Sequence, residues 1–235
     1  MFLCGAAACS SEGSANLRPA SVDKTSSPAS DTSNTLTKNP PTSSRPKIIA
    51  FGDSLTAGYG LAQTESYPYL LQQKLDADDY SYEVVNAGVS GDTSAQGVAR
   101  LEWALSDKRD VQIMILELGA NDILRGQSLT AMRANLASII EAAQRRNIQV
   151  LLAGMFAPTN QGSAFQREVA LAYRSLVDEY EVPFIPFFLE RVAGRSDLNL
   201  PDGVHPNAQG TRIVADTVYQ SLKPLLETDV SRQRK

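Results

Sequence analysis

From Lys47 onward, short apolar runs alternate with longer amphipathic ones along this 235-residue chain. "KIIAFGD" (47–53), "YEVVNAGV" (82–89), "VQIMILELGA" (111–120), "QVLLAGMFA" (149–157) and "VPFIPFF" (182–188) read as strands. The first, third and fourth are apolar almost throughout instead of alternating, as expected of strands covered on both faces of a parallel sheet. Between them, 65–77, 93–107, 129–146, 163–180 and 206–222 read as helices. In the last, Ile213, Val214, Thr217, Val218 and Leu222 recur at helical spacing. Strands alternating with helices predict one α/β domain with a five-stranded, parallel, doubly wound sheet and right-handed crossovers.

The pattern is different ahead of Lys47. "MFLCGAAAC" is apolar and small, and residues 10–46 hold fifteen Ser or Thr and five Pro. Such a composition cannot bury enough apolar surface to offset its ordering entropy, so it reads as a disordered tether. "AAAC" resembles the end of a bacterial lipoprotein signal, in which Cys9 becomes the lipidated first residue. No Lys or Arg precedes the run, and it is shorter than a usual signal core. The expected organisation is a remnant lipoprotein signal (1–9), a tether (10–46), a folded domain (47–228) and a polar tail (229–235). No other stretch approaches the ~20 apolar residues that span a bilayer. A periplasmic or cell-envelope location, with Cys9 as a membrane tether, is expected.

Composition narrows the chemistry. A net charge of −4 and a pI near 5.1 exclude nucleic acid as the main partner, because phosphate binding needs a basic face. The only histidine is His205, and the only cysteines, Cys4 and Cys9, precede the domain. A zinc site built from His and Cys therefore lacks ligands, and no disulfide can cross the core. A metal would have to sit on carboxylates, and no cofactor is expected.

In doubly wound sheets chemistry gathers at the carboxyl ends of the strands. Those ends carry Gly52-Asp53-Ser54, Ser90-Gly91-Asp92 and Gly119-Ala120-Asn121-Asp122, with "LPDGVHPNAQG" (200–210) before the last helix. Alone, Ser54 reads as a turn or cap residue. His205 changes that, because imidazole exchanges protons near neutrality. Pro206 disfavours helical backbone at His205 and suits the first position of the following helix. Asp202, three residues earlier, can fold back onto Nδ1 and leave Nε2 free to take the Ser54 proton, which makes serine a nucleophile. Gly91 N–H, the Asn121 amide and Ser54 N–H are candidate donors to an oxyanion. Gly91 as a turn glycine and Asn121 as a cap are the plainer alternatives. Asp53, Asp92 and Asp122 read as caps, with an acidic metal cluster as the alternative. Glu117 reads as a partner of a helix N-terminus or a basic group. Arg125 reads as structural, with a grip on an anionic substrate group as the alternative.

"FGDSLTAGYG", "NAGVSGDTS", "ELGANDILRG" and "DGVHPNAQG" resemble, in order, the four blocks of the SGNH (GDSL) hydrolase family, whose Ser, Gly, Asn and His fall on Ser54, Gly91, Asn121 and His205. The resemblance runs from Ile48 to Leu226. "SGDTSAQGVARL", "LELGANDILRG" and "VPFIPFFLERV" are similar to the bacterial acyl-CoA thioesterase, lysophospholipase and arylesterase subgroup. It implies a three-layer α/β/α flavodoxin-like fold and a metal-free serine esterase working through an acyl-enzyme. Ester or thioester substrates, a monomer and a periplasmic or secreted setting go with it. In "APTNQGSAFQREV", Gln161 and Phe165 stand where relatives often carry aromatic or basic residues, which bears on acyl preference. Two rival readings are a carboxylate-based phosphoryl-transfer or Mg²⁺ site centred on Asp53 or Asp122, and a noncatalytic lipoprotein that binds a lipid or glycan. Only the esterase uses Ser54, Gly91, Asn121 and His205 together.

Overall fold

Strand β1 (Lys47–Gly52) is buried at every position after Lys47 because it has a neighbour on each side and helices over both faces. The computed structural model describes residues 45–106 and 110–233, so the signal remnant and nearly all of the tether read from the sequence lie outside the described residues. The other strands are β2 (Glu83–Gly88), β3 (Val111–Glu117), β4 (Gln149–Ala153) and β5 (Phe184–Ile185). All pair in parallel in the order β2-β1-β3-β4-β5. The three apolar runs are the three central strands, and the half-exposed β2 is an edge. β5 is far shorter than the 182–188 run because Pro183 and Pro186 flank it without an N–H to donate.

The long helices are α2 (Tyr67–Ala77), α3 (Ser94–Ser106), α5 (Leu129–Gln144), α6 (Gly162–Tyr180) and α7 (Ala208–Gln233). Two short ones, α1 (Ser54–Ala57) and α4 (Ala120–Leu124), follow β1 and β3 directly. α2 packs on α7, while α5 packs on both α3 and α6, giving two helical layers around the sheet. α7 begins two residues later than the 206–222 run and continues past Pro224 to Gln233. Pro206 is not in it: Pro206 bridges Asn199, and Asn207 Oδ1 caps the helix by accepting from Gln209 and Gly210 N–H at 2.9 and 3.1 Å.

Register matters most for the site. Gly52 at the end of β1 pairs with Gly88 in β2 and with Glu117 in β3. Three adjacent strands therefore end level, and the polar corners that follow them abut on one rim.

Candidate active site

Each corner is built by local hydrogen bonding. After β1 the chain turns into α1 with Asp53 as its cap, whose Oδ1 accepts from Leu55 N–H at 3.0 Å. A cap at 53 leaves the next side chain, Ser54, free of that duty. Ser54 Oγ lies 2.9 Å from His205 Nε2, and His205 Nδ1 lies 2.7 Å from Asp202 Oδ2. The other Asp202 oxygen accepts from the Val204 and His205 backbone N–H groups at 2.9 and 3.0 Å. One carboxylate thus fixes both the imidazole and the loop that carries it, leaving Nε2 to accept from the serine hydroxyl.

Hydrogen bonds tie the other two corners to the first. Asn121, on the first turn of α4, donates its amide to Asp53 Oδ2 at 2.9 Å and to Asp92 C=O at 3.0 Å. Arg125 bridges Gly91 C=O at 2.9 Å and Asn121 Oδ1 at 3.3 Å, which fixes the orientation of the amide. Gly91 has φ +87°, a backbone that L side chains rarely adopt. A Cβ there would have room, its nearest neighbour being Arg125 Nη2 at 3.6 Å, so backbone conformation is the reason for glycine. Among the described residues neither Gly91 nor Ser54 N–H has an acceptor within the protein. Hydrogen bonds thus link Ser54 to His205 and Asp202, and Asn121 to the Ser54 and Gly91 corners, the residues that the sequence offers as nucleophile, base, orienting carboxylate and donors.

The acidic neighbours are engaged. Besides the cap, Asp53 serves Asn121; Asp122 accepts from Ser94 N–H at 2.8 Å and Ser94 Oγ at 2.6 Å, holding the start of α3; Asp92 is paired with Arg100. Of these, Asp53 caps its own helix as expected, whereas Asp122 serves another helix and Asp92 a guanidinium. Arg125 makes internal contacts, as the structural reading of it requires.

Two contributors escaped the sequence reading. Arg100 donates to Gly52 C=O and Ala87 C=O, both at 2.9 Å, and lies 4.0 Å over the Phe51 ring, so it ties β1, β2 and the Gly91 loop together. Its only sequence signal was position eight residues after Asp92, two helical turns along. Tyr59 lies with its ring centroid 4.6 Å from that of His205. It covers one imidazole face, and nothing local in the sequence announces it.

Electrostatics follow from these contacts. Asp202 is held down to about 2, from 3.8, chiefly by the backbone N–H groups of His205 and Val204 and then by the imidazole. Its contribution to stability is therefore complete above pH 4 and is lost as pH falls through 2. Asp202→Asn should lower Tm by a few degrees at pH 5 to 7, with the two proteins converging near pH 2. Thermal unfolding against pH checks this, and a pH-independent difference would refute it. Asp53 moves the other way, up to about 6, because burial disfavours its charge more than the Leu55 and Asn121 bonds favour it.

Beside the rim opens a largely apolar cleft of about 930 Å³. Its lining includes Leu55, Ala120 and Val204, sequence neighbours of Ser54, Asn121 and His205. Phe156 and Phe187, stacked at 4.4 Å, also line it. Phe165 packs against the core, and this stretch meets the cleft instead through Ala157 and Pro158 of the loop and Ser163, Gln166 and Arg167 of α6.

Residues 50–213 match the model of the GDSL-like lipase/acylhydrolase family. The chain is 36% identical over 179 residues to Esterase TesA of Pseudomonas aeruginosa, covering 76% of this chain and 89% of that one. It is 35% identical over 182 residues to Thioesterase 1/protease 1/lysophospholipase L1 of Escherichia coli, covering 77% and 86%. The crystal structure of AlinE4, an SGNH-hydrolase family esterase, superposes with a TM-score of 0.65 at 44% identity, over 77% of this chain and 97% of that one.

Proposed function

The chain belongs to the GDSL-like lipase/acylhydrolase family and is a serine ester hydrolase, and on that premise we propose that Ser54 is its nucleophile and His205 its base. Ser54 Oγ attacks the substrate carbonyl carbon while its proton passes to His205 Nε2. Asp202 holds the imidazole in the tautomer that can accept it and stabilises the imidazolium formed. Negative charge moves to the carbonyl oxygen, which takes hydrogen bonds from the N–H groups of Ser54 and Gly91 and from the Asn121 amide, whose N–H toward Asp92 C=O is then shared between the two acceptors. The tetrahedral intermediate collapses, His205 protonates the departing alcohol or thiol, and an acyl-enzyme on Ser54 remains. Water, deprotonated by His205, then releases the acid and restores the serine. The observation that carries this reading is the relay from Ser54 Oγ to His205 to Asp202, with links of 2.9 and 2.7 Å.

The cleft suits an apolar acyl chain or an aryl group, and the scissile carbonyl at its rim can belong to an ester or a thioester. Acyl-CoA and lysophospholipid are the physiological classes we propose, in line with the activities named for the Escherichia coli relative. Turnover of a p-nitrophenyl ester series beside acyl-CoA and a lysophospholipid tests this. We expect kcat/KM to rise from acetate to medium chains by about tenfold or more, since each buried methylene contributes about 0.8 kcal/mol. A preference for acetate that falls steadily with chain length would contradict a cleft that holds the acyl part.

We further propose a cell-envelope setting with Cys9 as a lipid anchor, supported by the "AAAC" run and the Ser/Thr/Pro-rich residues that follow. Among the described residues no helix is long and apolar enough to cross a membrane. A diacylglyceryl mass on Cys9 of the mature chain is the expected signature, and an unmodified Cys9 inside a longer mature chain would remove the proposal.

A further inference from the structure

The reaction sequence does not use every buried acid. Glu117 ends β3 level with Gly52 and is 0% exposed. Its Oε2 accepts from the Asp53 backbone N–H at 3.3 Å and from the Thr56 hydroxyl at 2.8 Å. Its Oε1 is buried and, among the described residues, has no hydrogen-bond partner. The titratable groups around it are Asp53 at the end of β1, Tyr67 on α2 and Tyr173 on α6, none of them cationic. A carboxylate buried among such neighbours is costly, so the carboxyl keeps its proton. Its pKa is pushed well above the usual range by burial first and by the Asp53 charge second.

Its two donors are the residue before Ser54 and the residue two after it. The fit under the corner is close. A Cβ on Gly52 would stand 2.1 Å from Thr56 Oγ1 and 2.6 Å from Glu117 Oε2, so glycine at 52 is what admits the carboxyl. We infer that Glu117 is a positioning residue, whose uncharged carboxyl clamps the Asp53 N–H and the Thr56 hydroxyl and so sets the placement of Ser54 Oγ against His205. This rests on the reading of Ser54 as nucleophile. The clamp reaches the oxyanion side as well, since the corner it fixes carries Asp53, whose other oxygen orients the Asn121 amide.

Three variants test it: Glu117→Gln, which keeps an uncharged acceptor of the same shape; Glu117→Ala, which removes it; and Thr56→Val, which removes one donor at constant shape. Each is measured as kcat and KM per folded molecule, with the rate of phosphonate labelling at Ser54 in parallel. Glu117→Gln should keep kcat within about threefold, because an isostere preserves the bonds. Its pH profile should superimpose on that of the natural protein across the neutral and mildly alkaline range. Glu117→Ala should lose about a hundredfold in kcat with KM little changed, as misplacement by about 1 Å does. Thr56→Val should lose about tenfold in kcat, about one net hydrogen bond's worth. Labelling should slow by the same factors. If Glu117→Ala does not fold, Thr56→Val carries the test alone.

The proposal is overturned if the folded alanine variant, or Thr56→Val, keeps natural kcat and labelling rate, or if the loss falls in KM. It is equally overturned if Glu117→Gln is as damaged as Glu117→Ala, which would mean that the charge is needed. Failure of Ser54 to label in the unmodified protein sinks the catalytic reading itself, whereas normal labelling of the variants sinks only the clamp.

Discussion

Ser54→Ala is expected to lower kcat for p-nitrophenyl esters by about 10⁶-fold, the scale on which removal of a nucleophilic serine acts. The fold should be undisturbed. Ser54 Oγ has one side-chain partner, His205 Nε2, and the Ser54 carbonyl still closes α1 by accepting from Gly58 and Tyr59 N–H. The corner beneath it is held by Asp53, Thr56 and Glu117, none of which the substitution touches. Stability should therefore stay within the small range of a surface substitution, about ±0.5 kcal/mol. A loss of activity that tracks a loss of fold would assign Ser54 to the turn and return it to the reading that a single serine first invites.

Asn121→Ala should cost about 10²–10³-fold in kcat with KM almost unchanged, because the donor acts on charge that develops only in the transition state. The amide is anchored on both sides, by Asp53 and Asp92 as acceptors and by Arg125 as donor to its oxygen. That makes it a preorganised donor, which costs no reorientation of the side chain as a whole when the oxyanion forms. A large rise in KM with kcat intact would show that Asn121 serves ground-state binding instead. Removing the amide also leaves the buried Asp53 carboxylate without one of its two donors, so a modest fall in Tm accompanies the kinetic effect.

Much of this architecture was legible along the chain. The central strands announced themselves because β1, β3 and β4 are buried on both faces and must be apolar throughout. What the pattern did not give were the ends. α1 and α4 are too short to show a helical period, yet they begin at the corners that carry Ser54 and Asn121. Only a cap and a following turn define them, and those are hydrogen bonds more than hydrophobic spacing. β5 was over-read because the apolar residues after Phe184–Ile185 pack on the core and line the cleft without pairing as strand.

The candidate site was legible for a related reason. Polar residues directly after buried strands must face a rim, and a level register brings such rims together. His205 could be linked to Asp202 because they are three residues apart in one loop, a local relation. Arg100, Tyr59 and Glu117 act through partners 48, 146 and 61 residues away, and spacing carries no record of such contacts. Glu117 was read as meeting a helix N-terminus or a basic group. It does sit under the start of α1, where it takes an N–H and a hydroxyl, with no cation against it among the described residues.

An acyl-enzyme mechanism requires the substrate's acyl group to reside on Ser54 between the two half-reactions. The direct measurement is the intact mass and peptide map of the protein after reaction with a fluorophosphonate, which mimics the tetrahedral intermediate. One adduct per chain, on the peptide containing Ser54, with ester turnover lost in proportion to labelling, is the predicted result. Full turnover with Ser54 completely modified, or a stoichiometric adduct on another residue, would contradict it.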